Sequence, residues 1–228
     1  MVSDNLNALY EKLPSDVKLV AVSKFHPVPR LMEAYDAGQR RFGENRPQEL
    51  AAKVPRMPSD VEWHFIGHLQ TNKLKLVLPY VSLVQSVDSF HLLEAIDKWG
   101  RDNGKVVDIL LELHLGAEET KHGFNEEEIL SIIGAGQTPS PAGVKLYLEN
   151  VRIRGLMGMA TNTEDEGVIE ADFARIEALF RRIRAERPDL ADTFTELSIG
   201  MSGDWPIAVR HGATMVRIGT DIFGAREY

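Results

Sequence analysis

The strongest constraint on the fold is a repeated alternation between short β-rich runs and segments with helical periodicity. Several of the β-rich runs are almost continuously apolar and β-branched, which is typical of strands buried on both faces. Eight such runs occur, at Val17–Ser23, Arg40–Gly43, Glu62–Gly67, Ser82–Val87, Val107–Leu115, Val151–Met159, Thr195–Gly200 and Met215–Gly224. Parallel strands need long crossover connections, which are usually helices, so the alternation predicts an α/β protein.

The segments between these runs have the periodicity of amphipathic helices. The clearest apolar stripe, with steps of three and four residues, comprises Ile169, Phe173, Ile176, Phe180 and Ile183. Thr163 and Glu166, in front of this stripe, fit a capping box. A second stripe predicts an extra helix before the first strand and comprises Val2, Leu6, Leu9 and Leu13.

Two architectures fit this alternation, a closed (β/α)8 barrel and a doubly wound open sheet. Eight units, and the lack of a Gly-rich turn after the first strand, favour the barrel. The 228 residues provide roughly 28 residues per unit, at the compact end of the barrel fold. We interpret the loop-like stretch Gly134–Gly143 as a connector and not as a domain boundary. The sequence therefore predicts one TIM barrel domain over residues 1–228, with an extra N-terminal helix.

Composition excludes several classes of protein. Without cysteine there is no disulfide framework, no thiolate zinc site and no cysteine nucleophile. Lys and Arg total 26 against 34 Asp and Glu, a net charge of −8, so nucleic acid is not an expected partner. No apolar run approaches the ~20 residues that span a membrane, and the N-terminus lacks the pattern of a secretion signal. We expect a cytoplasmic protein with no membrane partner.

The seven histidines do not form a recognisable metal-binding motif. His64 and His68 are four residues apart, but they lie across an expected strand end, where helical spacing does not apply. We therefore expect no metal site.

Chemistry in a (β/α)8 barrel is found at the carboxyl ends of the strands, and Lys24 directly follows the first strand. At that position its side chain would project into the open end of the barrel. Desolvation there lowers the pKa of an amine and leaves it able to attack a carbonyl group. On position alone, a solvated lysine that leaves a strand is an equally good interpretation.

The ends of the seventh and eighth strands add a second chemical feature. Ser202 and Gly203 follow the seventh strand and precede a short helix, so they offer backbone N–H groups and a hydroxyl to an anion. Gly219 and Thr220 form a similar small turn after the eighth strand. Phosphate sites in barrels frequently form from these two loops. With Lys24, they predict a ligand that carries both a phosphate and an aldehyde or ketone.

Pyridoxal phosphate satisfies this description, and so does a phosphosugar held by a Schiff-base aldolase. Arg217 helps to separate the two ligands. It lies two residues before Gly219, so strand alternation places both residues on one face. Its guanidinium could reach a pyridine nitrogen, a role that arginine plays towards pyridoxal phosphate. A surface ion pair is the alternative use of Arg217.

Longer motifs resemble the YggS/PROSC family of pyridoxal phosphate homeostasis proteins. The matching blocks run in order through nearly the whole chain and comprise Val20–Lys24, Phe42–Leu50, Trp63–Lys73, Lys121–Gly123, Arg154–Ala160 and Leu197–Glu227. The chain departs from the family at Phe25, His26 and His68, where family members commonly carry other residues.

The resemblance implies a barrel of the alanine racemase N-terminal-domain type, with pyridoxal phosphate held as a Schiff base on Lys24 and Arg217 facing the pyridine nitrogen. The residues that it implies around the phosphate are Met201, Ser202, Gly203, Gly219 and Thr220. Asn45 matches a residue that lines the cofactor site. His64 shares a strand face with Ile66, and either could pack near the ring; His64 could instead be a satisfied core histidine.

The resemblance also bears on whether the protein is an enzyme. Racemisation needs an acid/base group on each face of the substrate, and in alanine racemases the tyrosine opposite the lysine comes from a separate β domain. This chain ends at Tyr228, four residues after Gly224. Arg217 disfavours protonation of the pyridine nitrogen and so weakens the electron sink.

We therefore expect a protein that holds and delivers the cofactor in vitamin B6 homeostasis without robust catalysis. The expected state is a monomer, and pyridoxal phosphate-dependent apo-enzymes are the candidate partners. A pyridoxal phosphate-dependent amino-acid racemase or a related enzyme is the alternative.

Overall fold

The computed structural model describes residues 1–116, 122–134, 138–139, 145–146 and 148–224. Its strands are β1 (Lys18–Val22), β2 (Arg41–Glu44), β3 (Glu62–Phe65), β4 (Leu83–Val87), β5 (Val107–Leu113), β6 (Thr138–Pro139), β7 (Lys145–Leu146), β8 (Val151–Gly158), β9 (Glu196–Ser198) and β10 (Met215–Ile218). All except β6 and β7 are parallel and close into one barrel in the order β1-β10-β9-β8-β5-β4-β3-β2. The predicted barrel is confirmed.

Helices connect the strands and surround the barrel. They are α1 (Val2–Tyr10), α2 (Val28–Asp36), α3 (Pro47–Lys53), α4 (Leu74–Val77), α5 (Phe90–Asn103), α6 (Glu126–Gly134), α7 (Glu166–Glu186), α8 (Trp205–Arg210) and α9 (Thr220–Phe223). Short 3-10 turns occupy Val54–Arg56, Thr71–Lys73 and Pro188–Leu190. Helix α1 is the predicted extra helix, and it packs on α2 and α9. None of the helices in the described ranges is long and apolar enough to cross a membrane.

The predicted connector Gly134–Gly143 is described only in part. Gly134 ends α6, and Thr138–Pro139 pairs antiparallel with Lys145–Leu146. Residues 135–137 and 140–143 lie outside the described residues, as does Lys121 of one family motif.

The β-rich run Met215–Gly224 is a strand only in its first part, and the predicted turn at Gly219 and Thr220 follows that part. Strand β10 ends at Ile218, and the chain then turns into the single helical turn α9. Ile222 and Phe223 are buried, so their apolar character reflects packing and not an extended conformation. Asn5 of α1 donates its side-chain N–H to the Ile222 carbonyl at 3.0 Å, which satisfies a carbonyl that a one-turn helix leaves free.

Strand alternation divides the core into an inner and an outer part. On β1, Leu19 and Ala21 belong to the larger cluster between strands and helices, whereas Val20 faces the barrel interior. The inner cluster comprises Val20, Leu83, Leu110, Met157 and Met215. Because these side chains fill the barrel interior, it has no room for a ligand, and the sites for ligands lie at the ends of the barrel.

Candidate functional site

Most of the predicted site residues line one cavity at the carboxyl ends of β1, β9 and β10. This cavity of about 180 Å³, here called the lysine cavity, is lined by Lys24, Met201, Ser202, Gly203, Arg217, Gly219 and Thr220, together with Val22, His26 and Gly224. The structure thus brings together the amine, the guanidinium and the two small turns that the sequence placed on three separate strand ends.

A buried polar network holds the end of β1 in place just before Lys24. The Ser23 hydroxyl donates to Glu44 Oε1 at 2.6 Å. Lys53 Nζ donates to the same oxygen at 2.6 Å and to the Ser23 carbonyl at 2.9 Å. Burial raises the pKa of Glu44, while the Lys53 charge and hydrogen bond lower it. Sequence analysis did not single out these residues, although Glu44 directly precedes Asn45 in the FGEN motif.

The chain turns sharply directly after Lys24. Phe25 has φ of 66°, in the left-handed region that a bulky residue seldom adopts. Its backbone N–H donates to Glu49 Oε2 at 2.9 Å, and the Arg46 guanidinium lies 4.5 Å from the centre of its ring. These contacts hold the turn in spite of the strain, so the direction in which the chain leaves β1 at Lys24 is fixed.

On the phosphate side of the cavity, the backbone N–H groups of the turn after β9 have different hydrogen-bonding states. The Met201 backbone N–H donates to Asp204 Oδ1, so the chain itself occupies the backbone donor of this residue, one of those that the family resemblance implies around the phosphate. The N–H groups of Ser202 and Gly203 have no acceptor within the described part of the chain. The Ser202 hydroxyl is hydrogen-bonded to the Asp221 carboxylate of α9, whose pKa burial raises.

Arg217 is almost completely buried and points from β10 into the barrel. It donates to the Ser198 carbonyl and hydroxyl, each at 2.7 Å, and to the Gly158 carbonyl at 2.9 Å. Burial lowers the pKa of Arg217 to about 10, while Glu112 and Asp204 oppose that shift. The guanidinium therefore stays charged at neutral pH, in a fixed orientation beside the lysine cavity.

The structure does not bring His64 to the lysine cavity. It lies at the opposite end of the barrel interior, in a cavity that it shares with Lys18, Glu62 and Glu196 from the amino ends of strands. The side-chain period explains this position, since His64 precedes the carboxyl end of β3 and only Ile66 reaches the open end. The structure fits the second interpretation, a satisfied core histidine, and burial lowers the pKa of His64 to about 3.

A chain of hydrogen bonds nevertheless connects His64 with Arg217. Gln85 Nε2 lies 2.8 Å from His64 Nδ1, and the Ser198 hydroxyl donates to Gln85 Oε1 at 2.7 Å. Arg217 donates to the hydroxyl oxygen of Ser198. Each donor in this series meets an acceptor only if His64 Nδ1 is unprotonated, which agrees with its lowered pKa. His64 therefore supports Arg217 from a distance.

Asn45 lines a second cavity at the carboxyl ends of the strands. This cavity of about 280 Å³, here called the histidine cavity, is lined by polar residues that include Asn45, His68, Asp88, Glu112, His114 and His122. Asn45 Oδ1 is buried and has no hydrogen-bond partner in the described ranges, so it is an available acceptor. Burial and the charge of Asp88 raise the pKa of Glu112 to about 7, and the charge of Arg217 acts in the opposite direction.

Comparison with known proteins gives consistent similarities over the full chain. The sequence model of the alanine racemase N-terminal domain matches residues 1–227. The chain is 36% identical to the pyridoxal phosphate homeostasis protein of Vibrio alginolyticus, over 95% of this chain and 90% of the relative. It is 35% identical to the protein of the same name from Escherichia coli (strain K12), over 94% of this chain and 88% of the relative.

Solved structures agree with these sequence relatives. PipY of Synechococcus elongatus PCC7942, solved without PLP, superposes with a TM-score of 0.87 at 36% identity and covers 98% of this chain and 100% of its own. The same protein with PLP bound gives a TM-score of 0.84. Alanine racemase of Clostridium difficile 630 is only 14% identical, with a TM-score of 0.75 and 57% of its own chain covered, so that similarity concerns the fold alone.

Proposed function

Because this chain belongs to the alanine racemase N-terminal-domain family, and within it to the pyridoxal phosphate homeostasis proteins, we propose that it binds pyridoxal phosphate in the lysine cavity and serves the homeostasis of that cofactor. The observation that carries the proposal is the convergence of Lys24, Arg217 and the Ser202–Gly203 turn on one cavity. Apo-enzymes that depend on pyridoxal phosphate are the proposed recipients.

The residues of the lysine cavity fit the chemistry of this cofactor group by group. Lys24 supplies a primary amine for covalent attachment of the aldehyde. The N–H groups of Ser202 and Gly203, and the hydroxyl of Thr220, supply donors for the phosphate. Gly219 allows a close approach of the end of β10 to β1. A Cβ at this position would lie only 3.3 Å from the Val22 backbone oxygen, which is closer than an ordinary contact. Met201 would contribute its side chain but not its amide.

The positive charge of Arg217 favours a role in binding the cofactor and disfavours a role in catalysis. When bound, pyridoxal phosphate supplies an electron sink whose strength depends on protonation of its ring nitrogen. A guanidinium that stays charged at neutral pH disfavours that protonation. Arg217 is fixed by Ser198 and Gly158, so it would present this charge without moving. A non-catalytic carrier is therefore the proposed activity.

The visible absorption spectrum tests the covalent attachment. Purified protein incubated with pyridoxal phosphate and then freed of excess cofactor is expected to show a visible band, and Lys24→Ala is expected to lose it. Lys98→Ala is the matched control, because Lys98 is a surface lysine that pairs with Asp102 on α5. A band of equal intensity in Lys24→Ala would contradict the role of Lys24, and no band in the wild type would contradict the whole proposal.

Amino-acid turnover tests the non-catalytic part separately. The loaded protein is incubated with L-alanine, and the D enantiomer is measured by chiral chromatography. We expect no more D-alanine than free pyridoxal phosphate forms at the same concentration, because Arg217 weakens the electron sink. Sustained turnover that depends on Lys24 would make the protein an enzyme and leave the binding site unchanged.

A further inference from the structure

We propose that His68, Asp88 and His122 form a binding site for a divalent transition-metal ion such as Zn²⁺, at the edge of the histidine cavity and independent of pyridoxal phosphate. Each residue offers one ligand atom, and these atoms all lie within 4.8 Å of one another. Two imidazoles and one carboxylate form a ligand set that binds zinc and other divalent metals in proteins, with further coordination positions left open.

The distances suit a single ion. Asp88 Oδ2 lies 2.7 Å from His68 Nδ1 and 3.8 Å from His122 Nδ1. Ligands that bind zinc at about 2.0 Å in a tetrahedral arrangement are separated by roughly 3.3 Å, and the two observed distances bracket that value. Binding of one ion would require the longest ligand separation, which is at most 4.8 Å, to shorten by up to about 1.5 Å, and the two stacked imidazole rings to turn so that both nitrogen lone pairs point at the ion.

The carboxylate is buried and the histidines are accessible. The Asp88 side chain is only 4% exposed, whereas those of His68 and His122 are 48% and 63% exposed. In the described part of the chain, the ion pairs of Asp88 are with these two histidines. A second buried carboxylate, Glu112, lines the same cavity. The site therefore combines the buried carboxylate of Asp88 at its base with an open path for a cation.

Each of the three residues is held by a separate part of the barrel. Asp88 directly follows β4, and the Ser86 hydroxyl donates to the carbonyl of Gly67, the residue before His68. The segment that carries His122 is attached to the end of β5, where the Phe124 N–H donates to the Glu112 carbonyl at 2.8 Å. Backbone attachments of this kind position the ligands before an ion binds, which reduces the entropy lost on binding.

A hydrogen-bonded His–Asp pair without metal function is the competing interpretation. The chain contains such a pair for comparison: His211 Nδ1 lies 2.8 Å from Glu177 Oε2, and Glu177 also pairs with Arg181 rather than with a second histidine. The site at Asp88 differs by a second imidazole, which stacks on the first with ring centroids 4.2 Å apart. Both Nδ1 atoms face the same carboxylate oxygen, an arrangement that a simple pair does not require.

Isothermal titration calorimetry with Zn²⁺ tests the proposal on the untagged full-length protein, freed of metal and of pyridoxal phosphate. We expect one equivalent of Zn²⁺ to bind. Asp88→Asn and the double variant His68→Ala/His122→Ala should weaken the affinity by at least about 100-fold, since loss of residues that merely orient metal ligands already costs 10- to 100-fold. The matched control His211→Ala should bind as the wild type does. Titration of Co²⁺, followed by its visible absorption, reports independently on nitrogen ligands.

Two further measurements make the result decisive. Thermal unfolding of each variant identifies any loss of fold, and His68→Gln, a milder change than alanine, is then used in place of a variant that is unfolded. Binding by Lys24→Ala equal to that of the wild type would show that residual cofactor is not the metal ligand. No stoichiometric binding by the wild type, or equal binding by Asp88→Asn and the double variant, would overturn the proposal and leave a hydrogen-bonded cluster.

Discussion

At the residue scale, hydrogen bonds satisfy a series of polar side chains that crosses the barrel interior. The series from Arg217 through Ser198 and Gln85 to His64 is fully buried and crosses the barrel from β10 to β3. An unsatisfied group in this series would cost on the order of 1–3 kcal/mol, so each member constrains the next. The orientation of Arg217 in the candidate site therefore depends on a histidine at the other end of the barrel.

The lowered pKa of His64 predicts a loss of stability in acid. Its pKa is about 3 in the folded protein, against 6.5 as the ordinary value. The unfolded chain therefore binds more protons between these values, so the contribution is complete above pH 6.5 and is lost as the pH falls towards 3. We expect the free energy of unfolding, measured by urea denaturation, to fall less steeply with decreasing pH in His64→Asn than in the wild type. Over this window the two slopes should differ by up to about 1.4 kcal/mol per pH unit. Parallel profiles for the two proteins would contradict the prediction.

At the element scale, the boundaries of helices and strands follow side-chain contacts that periodicity alone does not reveal. The long stripe on α7 is confirmed, but its predicted capping box is wrong. Asp165 caps the helix by accepting a hydrogen bond from the Gly167 N–H at 2.9 Å, and Thr163 accepts one from the Asp165 N–H at 3.1 Å. Asp165 competes successfully because a carboxylate near a helix N-terminus also interacts favourably with the helix dipole.

Strand β8 contains an irregularity at Gly155, where β9 approaches it closely. Its register with β5 shifts where Ile153 pairs with Ile109 but Gly155 pairs with Leu110. Gly155 has φ of 153°, and a Cβ there would lie 1.8 Å from the Glu196 backbone oxygen of the neighbouring strand. Glycine is therefore required at this position both for its backbone conformation and for the close approach of β9.

Gly155→Ala should lower the free energy of unfolding by about 3 kcal/mol or more, because the clash is with backbone and only a shift of one strand can relieve it. Gly134→Ala is the control, since a Cβ at that helical position meets no atom within 4 Å in the described residues. Its stability should be equal to the wild type or slightly higher. Urea denaturation measures both, and equal stabilities for the two variants would contradict the structural role of Gly155.

At the scale of the whole molecule, the exposed apolar surface bears on the oligomeric state. Among the large apolar side chains exposed in the described ranges, Tyr10, Val106 and Val168 are on separate parts of the fold, and Leu76 and Tyr80 lie on and just after α4. Phe25, Met159 and Met201 lie at the carboxyl ends of the strands, where the two cavities open. Scattered exposure of this kind is ordinary for monomers, whereas stable interfaces need a contiguous patch.

We therefore predict a monomer with or without pyridoxal phosphate. Sedimentation equilibrium should give a mass near 25.5 kDa. The mass should stay the same over a range of protein concentrations. A mass that rises towards twice this value with concentration would contradict the prediction.

The sequence alone determined the barrel, the extra helix and the position of Lys24, Arg217 and the two phosphate-side turns at strand ends. These features depend on periodicity and chain order, and parallel strands bring their carboxyl ends to one edge whatever the details of packing. Only the tertiary structure decided that His64 faces the opposite end, that the Met201 amide is occupied, and that His68, Asp88 and His122 meet. Those outcomes depend on how deep each side chain lies and on the conformations of the loops after β3, β4 and β5, which no local pattern encodes.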